Sequence, residues 1–361
     1  MKALIALELN RLAVEDISIA PPKTGEVLIR MKAAGVCHSD LSVANGTVPM
    51  PLPMVLGHEG AGVVAEVGPG VTNVKPGDHV VLSFVPACGE CWFCVRKEPH
   101  LCVRCDPRGR MLDGTSRLQL RGQELGAMSQ LGCLAEYAVV PAMSVMPIDR
   151  SIPFAGAALV GCAVMTGVGA VANTARVEAG ATVAVFGCGG VGLAAIQGAR
   201  LVGARQIIAV DLADHKLEYA RRFGATDCVN AGEDPVAAVK ALTGGWGVDY
   251  SFEMTGRAAV MEQAYAAARR GGSVCIVGLG RYTESMRLNA LLLAGESKRI
   301  LGCFYGSANF RVDMPNLLAL YQAKRLDLDG LITKTYGIEQ APSAFDDLEA
   351  GRNARGLILF D

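Results

Sequence analysis

Apolar residues in the first 85 positions fall into short runs that Gly and Pro turns interrupt. Residues 27–31 and 61–68 have the composition of strands, and residues 74–82 form a turn that enters a third strand. Because these runs lack a helical period, we predict a barrel-like β domain in this part of the chain. Residues 132–140 return to a strand pattern, which Pro141 closes.

From residue 181 the pattern changes to apolar strands that alternate with helices. The strand at 182–186 runs into a glycine-rich turn and a helix of small residues, and a second strand ends at Asp211. Further helices and strands are predicted at residues 216–223, 247–253, 260–269 and 272–278. Such alternation predicts a doubly wound parallel sheet. A helix at 314–323 and strands at 332–336 and 356–360 complete the chain.

The glycine-rich turn has the spacing G-x-G-x-x-G, with Gly187, Gly189 and Gly192 between a strand and a helix. The glycines suit a tight turn, close approach of a pyrophosphate and helix–strand packing. The free N–H groups at the start of the helix favour the anion. Asp211 would hydrogen-bond the adenosine ribose and repel a 2′-phosphate, so we predict a site for NAD rather than NADP.

Cys37 and His58 lie on either side of a turn-rich segment. Thiolate and imidazole are ligands that zinc prefers, and a catalytic zinc keeps three protein ligands and one open position. These two residues supply two ligands, so the third must come from further along the chain. Cys162 lies in a small, apolar, helix-like stretch at 157–168 and is a candidate, but free cysteine is also a common core residue.

A second group of thiols follows the β-rich part of the chain. Cys88, Cys91, Cys94 and Cys102 have the spacing C-x2-C-x2-C-x7-C. Four thiolates close a tetrahedral site with no open position, which is what a structural zinc needs. An iron–sulfur cluster also uses short cysteine spacings, and Cys105 is a spare that we rank behind Cys102.

Residues 105–132 are polar and Gly-rich, and we interpret them as an ordered excursion from the β domain. Arginines recur in and beside this segment, and we expect them to form a solvated face rather than a substrate site. They are Arg104, Arg108, Arg110, Arg117 and Arg121.

Composition narrows the class of protein. The chain has 361 residues, which is long enough for two domains, and its net charge of −1 gives no reason to expect a nucleic-acid partner. We find no uninterrupted apolar run of the roughly 18 residues that a membrane helix needs, so we expect no membrane partner. The 12 cysteines follow no secretion signal, which favours free thiols and metal ligation in the cytoplasm over a disulfide framework.

Taken in order, these motifs resemble the zinc-dependent medium-chain alcohol dehydrogenases. The order is Gly-Val-Cys-His-Ser-Asp at 35–40, Gly-His-Glu at 57–59, four spaced cysteines, Gly-Cys at 161–162 and the nucleotide-binding unit. The resemblance covers nearly the whole chain. It implies a β-rich, GroES-like catalytic domain at 1–163 and 305–361 with a structural-zinc lobe. The doubly wound NAD-binding domain, at 164–304, would be inserted between them.

The resemblance also assigns roles to single residues. The catalytic zinc would take Cys37, His58 and Cys162, with Glu59 as a nearby or transient ligand, and the structural zinc would take the four cysteines of the lobe. Ser39 matches the hydroxyl beside the reacting alcohol, and His38 and Arg355 match contacts to the cofactor pyrophosphate. The remaining cofactor contacts would be Val191 in the glycine loop, Lys216 near the ribose, and Thr166, Val277 and Leu279 at the nicotinamide.

The implied activity is the oxidation of an alcohol to an aldehyde or ketone, and the reverse. Zinc lowers the pKa of a hydroxyl that binds it, and NAD accepts the hydride. Phe84 matches an aromatic residue that narrows the family's pocket, although it also fits an ordinary core position. Val48 and Met50 would make the outer channel apolar. We therefore expect a primary alcohol with a hydrophobic or aromatic tail.

Three other functions fit the sequence less well. A thiol-dependent formaldehyde dehydrogenase would suit Cys37-His38 and the long excursion, but apolar Val48 and Met50 stand where acidic residues are expected for a thiol adduct. A non-enzymatic NAD-binding sensor and a zinc-free quinone reductase are both disfavoured, because all three catalytic-zinc ligands are present.

Two further expectations follow from the resemblance. Family members with a long excursion after the lobe are typically dimeric, so we expect a homodimer. Well-known members pass the proton from a Ser or Thr hydroxyl through the cofactor ribose to a histidine three residues further on. Here Ser39 is followed by Ser42 at that position. A serine does not hold a proton near pH 7 as imidazole does, so we expect release to water without an internal histidine base.

Overall fold

The computed structural model describes residues 1–361. The chain forms two compact units. The first unit combines Met1–Cys162 with Asn309–Asp361, and the second is Ala163–Ala308. The first unit is rich in β structure and the second alternates strands and helices, so the fold class predicted from the sequence is confirmed.

The first unit contains two sheets. One has six short strands, in the spatial order Arg11–Asp16, Lys2–Glu8, Met54–Val55, Gln123–Ala127, Leu118–Leu120 and Ser18–Ile19. The other has seven strands. Its main order is Val145–Ile148, His79–Leu82, Gly60–Val67, Glu26–Val36, Arg355–Leu359 and Ile332–Tyr336, and Tyr137–Pro141 also pairs with Glu26–Val36. The last strands of the chain thus join a sheet that the first hundred residues begin.

One helix of the first unit corrects the expectation that its first 85 residues hold only strands. His38–Ala44 is a helix. Cys37 is the N-cap residue of this helix, and the Asp40 carboxylate accepts the Cys37 N–H at 3.3 Å. This capping interaction stabilises the start of the helix, and helical periodicity does not reveal it. The other α-helices are Trp92–Val95, Phe154–Leu159, Phe310–Gln322 and Ala341–Glu349. The short 3-10 turns are Pro99–Leu101, Met128–Gln130, Ala142–Ser144, Asp329–Leu331 and Ile338–Gln340.

The excursion at 105–132 is ordered, and it corrects the expectation for one arginine. Strands Leu118–Leu120 and Gln123–Ala127 form an antiparallel hairpin within it. The guanidinium of Arg117 is buried: Nε and Nη2 donate to Glu26 at 2.8 and 2.6 Å, and Nη2 also donates to Asp113 at 2.8 Å. Arg117 therefore ties the excursion to the large sheet instead of facing water.

The second unit holds a six-stranded sheet in which every pairing is parallel. The spatial order is Asp227–Asn230, Gln206–Asp211, Thr182–Phe186, Val248–Glu253, Ala268–Ile276 and Arg299–Gly302. The central strand Thr182–Phe186 is buried along its whole length, as an apolar strand covered on both faces must be.

Helices connect these strands. They are Gly190–Leu201, Asp214–Phe223, Pro235–Leu242, Ala258–Ala267 and Ala290–Gly295, whereas helix Met165–Gly169 precedes the first strand and a 3-10 turn at Tyr305–Ser307 follows the last. The predicted helix at 260–269 ends at Ala267, because residues 268 and 269 already belong to the next strand.

One apolar helix runs without a break from Phe154 to Thr174, through π-helical turns at Val160–Val164 and Ala170–Thr174. It has 21 residues, but Thr166 and Asn173 interrupt its apolar sequence, so it is not the uninterrupted apolar run that the sequence analysis excluded. Its length and composition would suit a membrane span, but most of it is buried inside the protein. A buried core helix of a globular protein has the same properties, so the helix is weak support for a membrane location.

Candidate active site

Four side chains converge in the first unit. The ligand atoms of Cys37, His58, Glu59 and Cys162 all lie within 4.8 Å of one another, and all four residues are buried. Cys37 lies where strand Glu26–Val36 passes into helix His38–Ala44, and His58 and Glu59 precede strand Gly60–Val67. Cys162 comes from the long apolar helix. The structure therefore brings together the three predicted ligands and the predicted neighbour, Glu59.

Asp40 holds two of these ligands in place, a role that the sequence analysis did not assign to it. Its Oδ1 accepts the Gly57 N–H at 2.8 Å and lies 3.2 Å from His58 Nδ1, while its Oδ2 accepts the Cys37 N–H at 3.3 Å. With Nδ1–H donating to the carboxylate, His58 Nε2 carries the lone pair. That nitrogen is buried and has no hydrogen-bond partner in the protein, which is how a metal-binding imidazole is presented.

The ligand side chains shift one another's pKa values. A hydrogen bond from Cys162 lowers the pKa of Cys37 well below its ordinary value, and the same contact raises the pKa of Cys162. Burial lowers the pKa of His58, but the charges of Asp40 and Cys37 more than offset this and raise it. A divalent ion deprotonates the thiols that bind it. Two cysteines, one histidine and a nearby carboxylate are a donor set that fits catalytic zinc.

Glu59 lies beside the three ligands because Gly35 leaves room for it. A Cβ on Gly35 would lie 2.0 Å from Glu59 Oε2. Arg355 Nη2 donates to Glu59 Oε2, and both side chains are buried. Burial raises the pKa of Glu59 to about 7, although the Arg355 charge opposes the shift. The sequence analysis assigned Arg355 to the cofactor pyrophosphate and did not predict this ion pair.

Other predicted residues lie around this group. Ser39 Oγ is 3.8 Å from Cys37 Sγ. The Phe84 ring meets the His58 ring edge-on, with 5.5 Å between centroids. Val48 and Met50 are half-buried and pack against the same core as Phe84. His38, one residue after Cys37, is exposed.

The four cysteines of the lobe form a second donor set. The Sγ atoms of Cys88, Cys91, Cys94 and Cys102 lie within 4.8 Å of one another. Two of these sulfurs also accept backbone N–H groups at 3.3 Å, Cys88 from Cys91 and Cys102 from Cys88. Cys105 is outside the set, as expected. Four thiolates with no other donor fit a structural zinc.

The glycine-rich turn in the second unit has the shape that a dinucleotide needs. Gly187 has φ +97°, and a Cβ on Gly192 would lie 1.9 Å from the Gly187 carbonyl oxygen. A Cβ on Gly189, by contrast, would meet no protein atom within 4 Å. The turn therefore presents open backbone at the start of helix Gly190–Leu201, where a pyrophosphate is bound in dinucleotide folds. Val191 lies in the first turn of that helix.

Asp211 closes the next strand beside this turn. Its carboxylate accepts the N–H groups of Cys188 and Ala213 at 2.8 and 3.0 Å, so it is fixed against the glycine loop. Lys216 is half-buried in the helix that follows. Thr166 and Val277 are buried in the same unit, whereas Leu279 is 53% exposed.

Comparison with protein-family models gives two matches. Residues 23–150 match the alcohol dehydrogenase GroES-like domain, and residues 190–323 match the zinc-binding dehydrogenase model. Among curated proteins, the chain is 40% identical over 349 residues to a Mycobacterium tuberculosis (strain CDC 1551 / Oshkosh) protein that carries the provisional name alcohol dehydrogenase D, with 95% of each chain covered.

Solved structures give the same result. The benzyl alcohol dehydrogenase of Acinetobacter calcoaceticus is 31% identical and superposes with a TM-score of 0.94, over 100% of this chain and 99% of that one. A protein of Sinorhizobium meliloti 1021, provisionally described as a zinc-binding dehydrogenase and bound to NADP, is 25% identical with a TM-score of 0.82, over 99% of both chains.

Proposed function

The chain belongs to the zinc-dependent medium-chain alcohol dehydrogenases, and we propose that it oxidises primary alcohols with a hydrophobic or aromatic tail to aldehydes, and the reverse, using NAD. The enzyme class is zinc alcohol dehydrogenase. The substrate, the choice of NAD and the residue roles are our proposals. The observation that carries the proposed zinc-dependent reaction is the buried donor set of Cys37, His58 and Cys162, in which His58 Nε2 has no hydrogen-bond partner in the protein.

We propose two zinc ions per chain. Cys37, His58 and Cys162 would hold the catalytic ion, with Glu59 as a neighbour, and the four lobe cysteines would hold the structural ion. The unit made of Met1–Cys162 and Asn309–Asp361 contains both donor sets and would be the catalytic domain. Since all 12 cysteines are free, a reducing compartment such as the cytoplasm suits the protein.

The unit Ala163–Ala308 would be the dinucleotide-binding domain. Its glycine loop would bind the pyrophosphate, and His38, which is exposed, and Arg355, which is buried, would be further contacts. Asp211 would accept from the adenosine ribose, and its negative charge would disfavour the 2′-phosphate of NADP. Lys216 would lie near the same ribose, and Thr166, Val277 and Leu279 would line the nicotinamide.

When bound, zinc supplies Lewis-acid polarisation of the alcohol oxygen and NAD accepts the hydride. The protein must then remove a proton. Ser39, whose hydroxyl lies near Cys37, would accept it and pass it on. Because Ser42 stands where imidazole serves in well-known members, we propose that the proton goes to water without a histidine intermediate.

The apolar side chains of Phe84, Val48 and Met50, which we propose line the substrate pocket, support a hydrophobic substrate. The Phe84 ring lies edge-on to the His58 ring, and the apolar side chains of Val48 and Met50 pack against the same core as Phe84. A thiol-dependent formaldehyde dehydrogenase remains the alternative function. An S-hydroxymethyl thiol adduct with a charged tail would gain nothing from these three side chains, so the hydrophobic alcohol is the preferred substrate class.

We also propose a homodimer, supported by the second unit. Strand Arg299–Gly302 is the last of its sheet, so one side of it has no strand partner. Leu291 and Leu292 in the preceding helix are 78% and 47% exposed. An unpaired edge beside exposed leucines favours association with a second copy. Light scattering tests this: a dimer mass is expected, and a tetramer would overturn it.

A panel of alcohols tests the proposed activity. Purified protein is assayed with NAD+ and with NADP+ on benzyl alcohol, a long aliphatic primary alcohol, a matched secondary alcohol and the adduct of formaldehyde with glutathione. We expect the highest kcat/KM for benzyl alcohol with NAD+. A higher kcat/KM for the thiol adduct would favour the alternative function, and a higher value for the secondary alcohol would contradict the proposed pocket.

A further inference from the structure

Arg355 reaches the metal centre from the first position of the last strand, Arg355–Leu359. The antiparallel pairing of that strand with Glu26–Val36 begins only at Gly356, opposite Val36. On its other side, Arg355 pairs with Ile332 at a point where the register shifts. Arg355 therefore lies where the regular strand pairing ends. Contacts other than the sheet hydrogen bonds must set the position of the Arg355 backbone.

A buried carboxylate lies behind this end of the strand. Asp347, in helix Ala341–Glu349, is 8% exposed. Its Oδ2 accepts from Lys334 Nζ at 2.7 Å and from the Tyr336 hydroxyl at 2.6 Å, and its Oδ1 accepts from Arg352 Nε at 2.7 Å. One carboxylate thus joins the helix, strand Ile332–Tyr336 and the turn that leads to Arg355.

The same contacts continue along the turn to Arg355 itself. Asn353 Nδ2 donates to the Tyr336 hydroxyl at 2.7 Å. Thr333 Oγ1 accepts the Ala354 N–H at 3.1 Å and donates to the Arg355 carbonyl at 3.3 Å. The Tyr336 ring also lies against the next residue, because a Cβ on Gly356 would be 3.2 Å from Tyr336 Cε2.

The position of Arg355 matters because its guanidinium donates to Glu59, which lies beside Cys37, His58 and Cys162. Both side chains are buried, so a shift of the guanidinium would leave a buried carboxylate less well paired. The Asp347 carboxylate does not touch the metal ligands, and any effect on them must pass through the turn and Arg355.

We propose that Asp347, acting with Tyr336, is a positioning residue for the reaction: it fixes the turn before Arg355 and so sets the place of the Arg355–Glu59 pair beside the metal ligands. This inference rests on the proposed function for its kinetic readout. It does not rest on that function for its metal-binding readout.

The test is a double-mutant cycle. Asp347→Asn and Tyr336→Phe are made in the wild-type background and in an Arg355→Lys background, in which the planar fork is lost. Asp346→Asn is the matched control, because it is the same change one residue earlier, on an exposed side chain. For each variant, kcat and KM for benzyl alcohol, the thermal midpoint and the rate of zinc loss to a chelator are measured.

In the wild-type background, Asp347→Asn should lower kcat by about tenfold, since a displacement of about 1 Å in a catalytic group costs up to roughly a hundredfold. It should also speed the loss of the more labile zinc. Tyr336→Phe should also lower kcat and speed zinc loss, but by smaller factors. Asp346→Asn should change neither kcat nor the rate of zinc loss. In the Arg355→Lys background, Asp347→Asn and Tyr336→Phe should have no further effect on kcat or zinc loss, although they still lower the thermal midpoint.

If Asp347→Asn changes kcat and zinc loss by equal factors in the two backgrounds, the proposal is overturned. It is also overturned if Asp347→Asn lowers the thermal midpoint but leaves kcat and zinc loss unchanged. Both results would mean that the Asp347 carboxylate has only a structural role. If Asp347→Asn fails to fold, the same comparison of kcat and zinc loss for Tyr336→Phe in the two backgrounds tests the proposal. A wild-type protein that oxidises no alcohol would contradict the proposed function instead, and the cycle in zinc loss would then decide the positioning role.

Discussion

Asp40→Asn is the sharpest test of how the catalytic donor set is held. The side chain is fully buried, and its two oxygens serve Cys37, Gly57 and His58. Asparagine has nearly the same shape, so packing changes little. It has only one acceptor atom, however, and no negative charge.

The hydrogen bonds decide the magnitude. If the asparagine oxygen takes the Oδ1 position, it still accepts from Gly57 and His58, but its NH2 group faces the Cys37 N–H. One buried donor then loses its acceptor, which costs about 1–3 kcal/mol, and each of the other two bonds loses about 1 kcal/mol because the acceptor is no longer charged. The opposite orientation leaves two donors unpaired. The free energy of unfolding should therefore fall by about 3 kcal/mol or more.

Metal affinity should fall as well, because Asp40 fixes the tautomer and direction of His58. Loss of such a partner typically costs about 10- to 100-fold in metal affinity. The assay is competition for zinc between the protein and a chelator, with chemical unfolding of the same samples. Asp149→Asn is the control, since Asp149 is an exposed aspartate that accepts one backbone N–H, from Ser151 at 2.8 Å. Wild-type zinc affinity in Asp40→Asn would refute the reasoning.

Four further predictions address the proposed roles. Cys162→Ala should abolish turnover and remove one zinc while leaving the fold mostly intact, whereas Cys91→Ala should mainly lower the thermal midpoint; metal analysis that gives one zinc in active, folded wild type would contradict both. Asp211→Gly should raise kcat/KM for NADP+ relative to NAD+, and a wild type that already prefers NADP+ would rule the assignment out. Phe84→Ala should admit secondary alcohols, measured as kcat/KM for a matched pair, and unchanged selectivity would assign Phe84 to the core alone. Ser42→His should raise the oxidation rate where proton release limits turnover, because a general base contributes about a hundredfold or more; no gain at any pH would argue against the missing-base account.

Local spacing made much of this protein predictable. The glycine loop, the strands around it and the lobe cysteines depend on neighbours in sequence, and the structure has them where the spacing predicts. Cys162 was harder, because its thiol lies far from Cys37 and His58 along the chain and a buried cysteine is an ordinary core residue. The resemblance to a family, rather than the residue pattern, identified it.

The residues that sequence reasoning missed act across long separations. Asp40 looks like an ordinary acidic residue in a short helix, and only the fold brings its carboxylate to Gly57 and His58. Arg117 looks like one of several surface arginines, yet Glu26 pairs with it across 91 residues. Arg355 and Glu59 are 296 residues apart. The one sequence pattern that could have indicated these buried pairs is a charged residue beside an apolar strand. That pattern predicts a buried charge but does not identify the residue that pairs with it.

The most direct test of the central claim is a titration of activity against zinc content. Catalytic zinc is removed in steps with a chelator, zinc per chain is counted, and reduction of NAD+ by benzyl alcohol is measured at each step and after zinc is returned. Turnover should fall in proportion to the loss of the first of two zinc ions per chain and return when zinc is added. Full turnover after that ion has been lost, or no turnover in protein that holds both, would contradict the account.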